Sequence, residues 1–373
     1  MSSDLQLRIN QALDSARENN INSDELVKLL NDCINHNLDH SISHELLDLA
    51  HLCSVSKSIA NSNYQELWLD KLVQLIKKSN YNFGILLKQR ADFYDEKNAI
   101  TIIKNGQLQS ISYSLLWEKI INVAKALSHF EKFSKPIVIG LLTNNQINGS
   151  LIDLACLSFG IKVVPIPLNS TSQHVSYIID HAEITHLFIG GKTGIKLWSD
   201  IKAIHTIKIV SLDDSDFNRP GLTPWEEFLE LADNINNFDI DARLMSIKIE
   251  DLQTIMYTSG TTANPKGIVF NQTHIISKRF ARGLALPDIG SDDIFLSYLP
   301  LFHTFGRYLE LMGSIYWGAC YTFAESPAFN SLLNDFKLTR PTIFISIPKR
   351  WVQLYELIGT KIDIDSEEDD KIK

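Results

Sequence analysis

The stretch Ile137–Ile166, with the sequence IVIGLLTNNQINGSLIDLACLSFGIKVVPI, decides the fold class. It opens on an apolar run, Ile137–Leu142, whose length suits a buried strand. A helical stretch follows around Leu151–Phe159, and a second apolar run, Lys162–Ile166, comes next. Two strands joined by a helix are expected to run parallel, because parallel strands need a crossover connection and are covered on both faces. The stretch therefore predicts an α/β protein.

The alternation of strands and helices continues on both sides of this unit. On the N-terminal side, Ala99–Ile103 and Gln109–Tyr113 flank Gly106 and are expected to form a hairpin. On the C-terminal side, Ser170 and Gln173 have the spacing of a capping box before another helix. Further strands are predicted at Thr185–Ile189, Thr206–Val210, Thr254–Tyr257, Ile268–Phe270, Ile294–Tyr298, Ala319–Phe323 and Thr342–Ile345.

Residues 1–80 lack this alternation. Apolar residues recur at helical spacing, for example at Leu26, Leu29 and Leu30, and strand-like patterns are scarce. We therefore expect a small all-α extension over residues 1–80, followed by a multilayer α/β domain over residues 81–373.

Three histidines in this extension, His36, His40 and His44, are spaced four apart. On one continuous helix they would share a face and could hold a metal ion. Ser41 and Ser43 favour a helix boundary at this point instead. No metal site is predicted here.

Composition narrows the class of protein. The chain has 373 residues, 45% of them hydrophobic and 21% charged, which permits a large packed core. The net charge is -9, and the sequence has no cluster of Lys and Arg residues of the kind that binding to a nucleic-acid backbone requires. The four cysteines are widely spaced without a C-x-x-C pair, so neither a disulfide framework nor a zinc site is indicated. With neither a signal peptide nor a membrane-spanning run in the sequence, we expect a cytoplasmic location.

The candidate chemistry lies in Tyr257–Gly267, with the sequence YTSGTTANPKG. Gly260 lets the backbone approach a phosphate closely, and Lys266 supplies a positive charge for a polyphosphate. Hydroxyl groups beside backbone N–H groups can complete an anion-binding concavity. The alternative is an ordinary Ser/Thr/Gly hairpin loop, which the agreement at many fixed positions disfavours. The predicted phosphate-binding residues are Thr258, Ser259, Gly260, Thr261, Thr262 and Lys266.

Two other phosphate motifs fail on the residues present. Gly191-Lys192-Thr193 has the tail of a P-loop, but His186 occupies the position of its first glycine. G-x-G-x-x-G does not follow any predicted strand, so a Rossmann dinucleotide site is not indicated.

Thr258–Gly267 resembles the signature phosphate loop of the adenylate-forming superfamily, which contains acyl-CoA synthetases, luciferases and peptide-synthetase adenylation domains. Ala263 departs from the family pattern, which usually has Gly there. Tyr298–Gly306, YLPLFHTFG, resembles the family's downstream motif. Two weaker matches, Leu154–Leu168 and Pro341–Tyr355, extend the resemblance, and the second is typical of long-chain acyl-CoA synthetases.

The resemblance implies a fold, an activity and a set of ligands. The fold would be the N-terminal domain of an adenylate-forming enzyme. The activity would be ATP-dependent conversion of a carboxylic acid, favouring a fatty acid, to acyl-AMP and then to a thioester with CoA, with Mg²⁺ assisting. The residue matching His303 borders the acyl pocket in the family and is the candidate catalytic residue, although a lone histidine is more often a core or capping residue. A peripheral membrane contact stays open.

Later motifs of the family are missing from this sequence. It has no Tyr-Gly-x-Thr-Glu, no Thr-Gly-Asp and no hinge with a catalytic lysine, so we expect a truncated chain. Three hypotheses follow: an acid–CoA ligase, an adenylation domain that loads a carrier-protein thiol, or an inactive nucleotide-binding module. The acid substrate and the oligomeric state are not predicted.

Overall fold

The computed structural model describes residues 2–17, 23–35, 40–55, 65–131, 136–201, 207–213, 221–258 and 264–359. None of the helices among these residues is both long and apolar enough to cross a membrane. The N-terminal part is helical, as the sequence predicts. It consists of α1 (Ser2–Arg17), α2 (Ser23–Asn35), α3 (His40–Val55), α4 (Gln65–Ser79) and α5 (Phe83–Tyr94).

A hairpin then opens the α/β part, as predicted. Its turn holds Asn105 at φ 53° and Gly106 at φ 70°, the left-handed conformations that a tight two-residue hairpin turn requires. Strands and helices alternate after it: β1 (Asn98–Lys104), β2 (Gln107–Ser112), α6 (Tyr113–Glu131), β3 (Val138–Leu142), α7 (Ile147–Ser158), β4 (Lys162–Pro165), α8 (Ser172–His181), β5 (His186–Ile189), α9 (Gly191–Ile201) and β6 (Lys208–Ser211).

The second half of the chain contains a segment of unusual helical geometry. Residues Phe305–Leu311 form a π-helix, a wide helix that is rare and is frequent at functional sites. The other elements are α10 (Trp225–Glu230), a 3₁₀ turn (Leu231–Asn234), α11 (Ile240–Ser246), β7 (Leu252–Thr258), β8 (Lys266–Asn271), α12 (Gln272–Ala285), β9 (Ile294–Ser297), α13 (Met312–Trp317), β10 (Cys320–Phe323), α14 (Phe329–Thr339) and α15 (Pro348–Gly359).

The strands form two sheets. The six-stranded sheet has the order β6-β5-β3-β4-β7-β8, and all its neighbours are parallel except β7 and β8. The four-stranded sheet has the order β2-β1-β10-β9, with β1 parallel to β10 and β10 parallel to β9. Thr101 of β1 thus lies beside Thr322 of β10, near the other end of the sequence.

Apolar side chains cover the six-stranded sheet on both faces. Ile139 and Leu141 of β3 belong to a core shared with α6 and α7, whereas Val138 and Leu142 belong to a second core beneath α8 and α9. This alternation explains why β3 is apolar at every position, as strands buried on both faces are.

The helices before α5 share the first of these cores. Buried residues such as Leu46 of α3 and Leu75 of α4 form one continuous apolar cluster with Phe280 of α12 and Tyr316 of α13. Nothing tests the predicted boundary at residue 80, which stays a prediction. The packing nevertheless makes the extension part of the same folded body.

The N-cap of helix α8 lies one residue later than predicted, at Thr171 instead of Ser170. The N-cap is Thr171, whose hydroxyl accepts a hydrogen bond from the His174 N–H at 3.2 Å. Ser170 is instead held in the preceding turn, where its N–H donates to the Pro167 carbonyl at 3.1 Å. The predicted Ser170–Gln173 capping box is therefore wrong.

The last predicted strand is also wrong. Thr342–Ile345 forms only an isolated bridge between Ile343 and Phe295 of β9. Pro341 has no N–H to donate, and the backbone N–H groups of Thr342 and Ile343 both bond to the Ile294 carbonyl, at 3.0 and 3.1 Å. The Leu296 N–H donates to the Ile343 carbonyl at 3.2 Å, but the pairing goes no further and remains a single bridge.

Helix α3 begins at His40, so Ser41 and Ser43, where the sequence favoured a helix boundary, lie within its first turn. His36 lies outside the described residues. His40 and His44 share α3 with ring centroids 6.3 Å apart, and Nε2 of His44 is hydrogen-bonded to the Ser79 carbonyl at 2.9 Å. The His44 ring therefore helps to join α3 to α4.

Candidate functional site

The carboxyl ends of strands from both sheets meet around one cavity of about 870 Å³. In open α/β sheets, this edge is where ligands bind. The segments after β3 and β4 form one side of the cavity, and those after β9 and β10 form the other. Its lining consists of Asn144, Asn145, Leu168, Asn169, Thr193, Tyr298, Leu299, Pro300, Phe302, His303, Thr304, Phe305, Ala324, Glu325, Pro327, Ser346, Ile347 and Pro348.

The two described ends of the candidate phosphate loop, Thr258 and Lys266, lie at the same edge of the six-stranded sheet. Its first residue, Thr258, ends β7, which runs parallel to β4, so the carboxyl ends of both strands point the same way. Lys266 begins β8 and pairs with Thr258, whose hydroxyl donates to the Lys266 carbonyl at 3.4 Å. Both residues are exposed. The other predicted phosphate-binding residues, Ser259, Gly260, Thr261 and Thr262, lie outside the described residues, as does Ala263.

His303 lies in the turn that leads into the π-helix. Its N–H donates to the Pro300 carbonyl at 3.0 Å, and its carbonyl accepts from the Arg307 N–H at 3.0 Å. These backbone bonds leave the imidazole free to line the cavity. Burial lowers the pKa of the His303 imidazole below its ordinary value of 6.5, so the ring is neutral at pH 7. The geometry fits a residue that borders a ligand.

Asn145 holds the His303 turn in place, and sequence reasoning missed it. Its side-chain amide donates to the Leu299 carbonyl at 2.8 Å, and its side-chain oxygen accepts from the Leu301 N–H at 3.0 Å. One side chain after β3 thereby fixes the backbone after β9. The available signal was Asn144-Asn145 directly after a buried strand, where polar residues lie at the ligand-binding edge.

A buried ion pair lies behind this turn. Nε of Arg307 donates to Oδ2 of Asp153 at 2.8 Å, and a second guanidinium nitrogen contacts the other carboxylate oxygen. The remaining arm of Arg307 donates to the Thr254 hydroxyl at 2.8 Å. Burial lowers the pKa of Arg307, but the charge of Asp153 outweighs this and leaves the pKa raised. The sequence signal was one carboxylate, Asp153, inside an otherwise uncharged helix.

A buried carboxyl group lies on the same π-helix. Glu310 accepts a hydrogen bond from the Ser297 hydroxyl, which in turn accepts one from the Tyr321 hydroxyl at 2.9 Å. Burial raises the pKa of the Glu310 carboxyl to about 8, so this side chain is mostly protonated at pH 7. Ser297 directly precedes Tyr298, which lines the cavity.

The segment before α15 closes the cavity on one side. The hydroxyl of Tyr298 is 2.7 Å from the hydroxyl of Ser346, and it accepts from the Ile347 N–H at 3.4 Å. The guanidinium of Arg350 lies 5.8 Å from the centre of the Tyr298 ring. The stretch that resembled long-chain enzymes thus packs directly against the His303 motif.

The rejected P-loop tail has a different role. Gly191 begins α9, and its N–H donates to the Asp213 carboxylate at 2.6 Å. Gln146 donates to the other oxygen of that carboxylate at 3.1 Å. A carboxylate from the chain itself therefore occupies this helix N-terminus, which a P-loop would reserve for a phosphate.

Comparisons with known proteins identify the family of the chain. The profile of a family described as AMP-binding enzyme matches residues 87–370. Long chain acyl-CoA synthetase 7, peroxisomal, of Arabidopsis thaliana is 29% identical over 60% of this chain and 32% of its own length. Fatty acyl-CoA synthetase A of Dictyostelium discoideum is 28% identical over 70% of this chain and 39% of its own length. The chain thus spans roughly a third of the length of these curated relatives.

Solved structures share the fold at low sequence identity. The N-terminal domain of FACL13 from Mycobacterium tuberculosis superposes with a TM-score of 0.59 at 18% identity, covering 75% of this chain and 66% of that one. O-succinylbenzoate Coenzyme A Synthetase from Bacillus subtilis, in complex with ATP and magnesium ion, superposes with a TM-score of 0.56 at 18% identity, covering 72% and 65%. These likenesses concern the fold alone.

Proposed function

Because the chain belongs to the AMP-binding enzyme family, we propose that it supplies the phosphate loop and the acyl cavity of an ATP-dependent acid–thiol ligase. The acid is a fatty acid and the thiol is that of CoA. One observation carries the proposal: the cavity that contains His303 opens at the same strand edge as Thr258, the first residue of the phosphate loop. An acyl group and a polyphosphate could therefore meet there.

The proposed chemistry has two steps. First, an oxygen of the carboxylate forms a bond to the α-phosphorus of ATP, the bond from that phosphorus to the bridging oxygen breaks, and pyrophosphate leaves. Next, the CoA thiolate attacks the carbonyl carbon of the acyl-AMP, and AMP leaves with the original carboxylate oxygen. Catalysis of the first step depends mainly on positioning and on stabilising charge, as in other phosphoryl transfers. It needs no general base, since the carboxylate is already ionised.

The residues have distinct proposed roles. Thr258, Ser259, Gly260, Thr261, Thr262 and Lys266 would hold the β- and γ-phosphates through N–H, hydroxyl and ammonium donors. His303, a neutral imidazole, would border the acyl carboxyl group. ATP would arrive as its Mg²⁺ complex. Within the described ranges, no group of three or more His, Cys, Asp or Glu side chains is arranged to hold a metal ion.

The cavity lining supports an apolar acid. Leu299, Phe302, Phe305 and Ile347 give it an aliphatic and aromatic surface, while Asn144 and Thr193 place polar groups at one side. Such a surface stabilises a hydrocarbon chain by removing it from water. The names of the relatives favour CoA over a carrier-protein thiol as the acceptor. A cytoplasmic location stays a prediction.

The test is acid-dependent exchange between pyrophosphate and ATP, measured on the protein isolated from its native source together with its intact mass. We expect palmitate to stimulate exchange, and a polar amino acid such as aspartate to leave it at background. A Lys266→Ala variant, which removes the loop's positive charge, serves as the control for exchange at this site. Absence of exchange across a panel of fatty acids would refute the fatty-acid ligase assignment.

A further inference from the structure

The π-helix Phe305–Leu311 carries two ionisable side chains, Arg307 and Glu310, and neither has any exposed surface. Residues three apart on an α-helix share one face. The wider turn of a π-helix rotates less per residue, so the same spacing directs side chains further apart. Here the two side chains bond to different sheets.

Arg307 bonds to the six-stranded sheet and the helix that covers it. Its partners are Asp153 of α7 and Thr254 of β7, both buried. The Thr254 hydroxyl donates onward to the Val163 carbonyl of β4 at 2.6 Å. β7 continues from Thr254 to Thr258, where the candidate phosphate loop begins. One side chain thereby connects the π-helix to the strand that presents this loop.

Glu310 bonds to the four-stranded sheet. Its partner Ser297 ends β9, and the Tyr321 hydroxyl of β10 completes the chain of hydrogen bonds. All three side chains are buried. The strands involved lead to Tyr298 and Ala324, which line the cavity. The second side chain therefore connects the π-helix to the opposite wall of the site.

We propose that Arg307 and Glu310 are positioning residues, which together fix the spacing of the two sheets at the cavity edge. Because the His303 turn is hydrogen-bonded to the start of this π-helix, the same bonds set His303 relative to Thr258. The importance of this spacing for catalysis rests on the proposed function. The spacing itself is a property of the fold and can be measured without any ligand.

Breaking each connection requires variants that leave no buried charge unpaired. Glu310→Leu removes the bond to Ser297, whereas Glu310→Gln keeps an acceptor oxygen for it. Arg307→Met combined with Asp153→Leu removes both members of the ion pair, a replacement that proteins often tolerate. Gln253→Leu is the matched control, because Gln253 is buried and its side chain bonds to the Cys156 and Ile161 carbonyls and to Gln272, none of which belongs to the four-stranded sheet or to the π-helix.

Double electron–electron resonance between spin labels measures the spacing. Labels carried by bioorthogonal amino acids at Lys192 and Gln107, both exposed, report the distance between the sheets. Labels at Lys192, on helix α9 that covers the six-stranded sheet, and at Ile268, on β8 of that sheet, report a distance that does not cross to the four-stranded sheet. We expect Glu310→Leu and the double variant to broaden or shift the first distribution and to leave the second unchanged. Glu310→Gln and Gln253→Leu should keep the first distribution narrow.

Two results would overturn the proposal: an unchanged inter-sheet distribution in both connection-breaking variants, or equal broadening in Gln253→Leu. Calorimetric binding of a palmitoyl sulfamoyl-adenosine analogue to the same full chains gives a separate readout. Weaker binding in the variants that broaden the distribution would tie the spacing to the site. If the wild-type chain does not bind the analogue, the proposed function is in error, and the distance measurement still decides whether Arg307 and Glu310 fix the spacing.

Discussion

Removing the carboxylate of Asp48 tests whether α3 is joined to α5 by more than apolar contact. Asp48 of α3 forms an ion pair with Arg90 of α5. The Arg90 side chain has no exposed surface, and the Asp48 side chain is 15% exposed. Burial lowers the pKa of the Arg90 guanidinium, the direction expected for a charge that has been removed from water. Asp48→Ala would leave that charge buried and unpaired.

The expected loss of unfolding free energy is large for the removal of one side chain. Breaking a buried pair by removing one partner costs about 3–5 kcal/mol. With an unfolding entropy of about 2.1 cal/mol/K per residue, this lowers the melting temperature of a chain of this size by roughly 4–6 °C. Lys88→Ala, on the same helix, is the control. Lys88 pairs with Asp241 at 2.8 Å, but their side chains are 36% and 75% exposed, so its loss should cost at most about 1 kcal/mol.

Urea denaturation followed by circular dichroism would measure both free energies of unfolding. The double variant Asp48→Leu with Arg90→Met removes both charges and should recover most of the loss. The reasoning would be refuted if Asp48→Ala cost no more than Lys88→Ala. It would also be refuted if the double variant were as unstable as the single one, because the loss would then not come from an unpaired guanidinium.

Other predictions concern the site and its supports. Because burial raises the pKa of Glu310 from 4.5 to about 8, the folded protein holds this proton more tightly than the unfolded chain. The stabilisation from this bound proton is fully present below pH 4.5 and is lost as the pH rises towards about 8. The side chain in Glu310→Gln does not titrate, so the unfolding free energy of this variant should fall less over that pH range than that of the wild-type protein. Gly318→Ala should cost about 2 kcal/mol or more in urea denaturation, since φ is 70° and an added Cβ would overlap the Tyr94 ring. Asn145→Ala should weaken calorimetric binding of an acyl-adenylate analogue about tenfold, by loosening the His303 turn. Lys266→Ala should weaken Mg·ATP binding at least about tenfold, with a smaller loss at high salt.

The alternation of strands and helices could be predicted because it has a local cause. β3 is buried on both faces and is therefore apolar throughout, β4 is apolar and buried after Lys162, and a helix of the expected length lies between them. The hairpin turn at Asn105 and Gly106 is equally local, since two left-handed residues favour these side chains. In each case the decisive signal lies within a few residues.

Features that depend on distant partners could not be predicted. Arg307 and Asp153 are 154 positions apart in the sequence, and neither has a neighbour that indicates the pairing. The Thr342–Ile345 segment has the composition of a strand, but whether it extends a sheet depends on the bonds that Ile294 offers. The error at Ser170 was smaller, because two adjacent hydroxyl residues compete for one cap and the turn at Pro167 decides between them.

The residues of the candidate site also divide into those that a local motif indicates and those that depend on distant partners. Lys266 and His303 could be proposed as site residues because their motifs are contiguous in sequence, and the structure places His303 on the cavity. Asn145 was missed because its role is to hold another segment, which only the fold brings near. Supporting residues of this kind leave little trace in a single sequence.

The parallel pairing of β1 with β10 imposes an order on folding during synthesis. Thr101 and Cys320, whose side chains are 3.3 Å apart in the finished sheet, are 219 positions apart in the chain. The β1–β2 hairpin therefore leaves the ribosome long before its partner strand, with one edge unpaired, while β3 to β6 can already pair with one another. An unpaired edge is a template for incorrect association. Nascent chains stalled before Cys320 are thus expected to depend on chaperones, and release from that dependence should coincide with the emergence of β10.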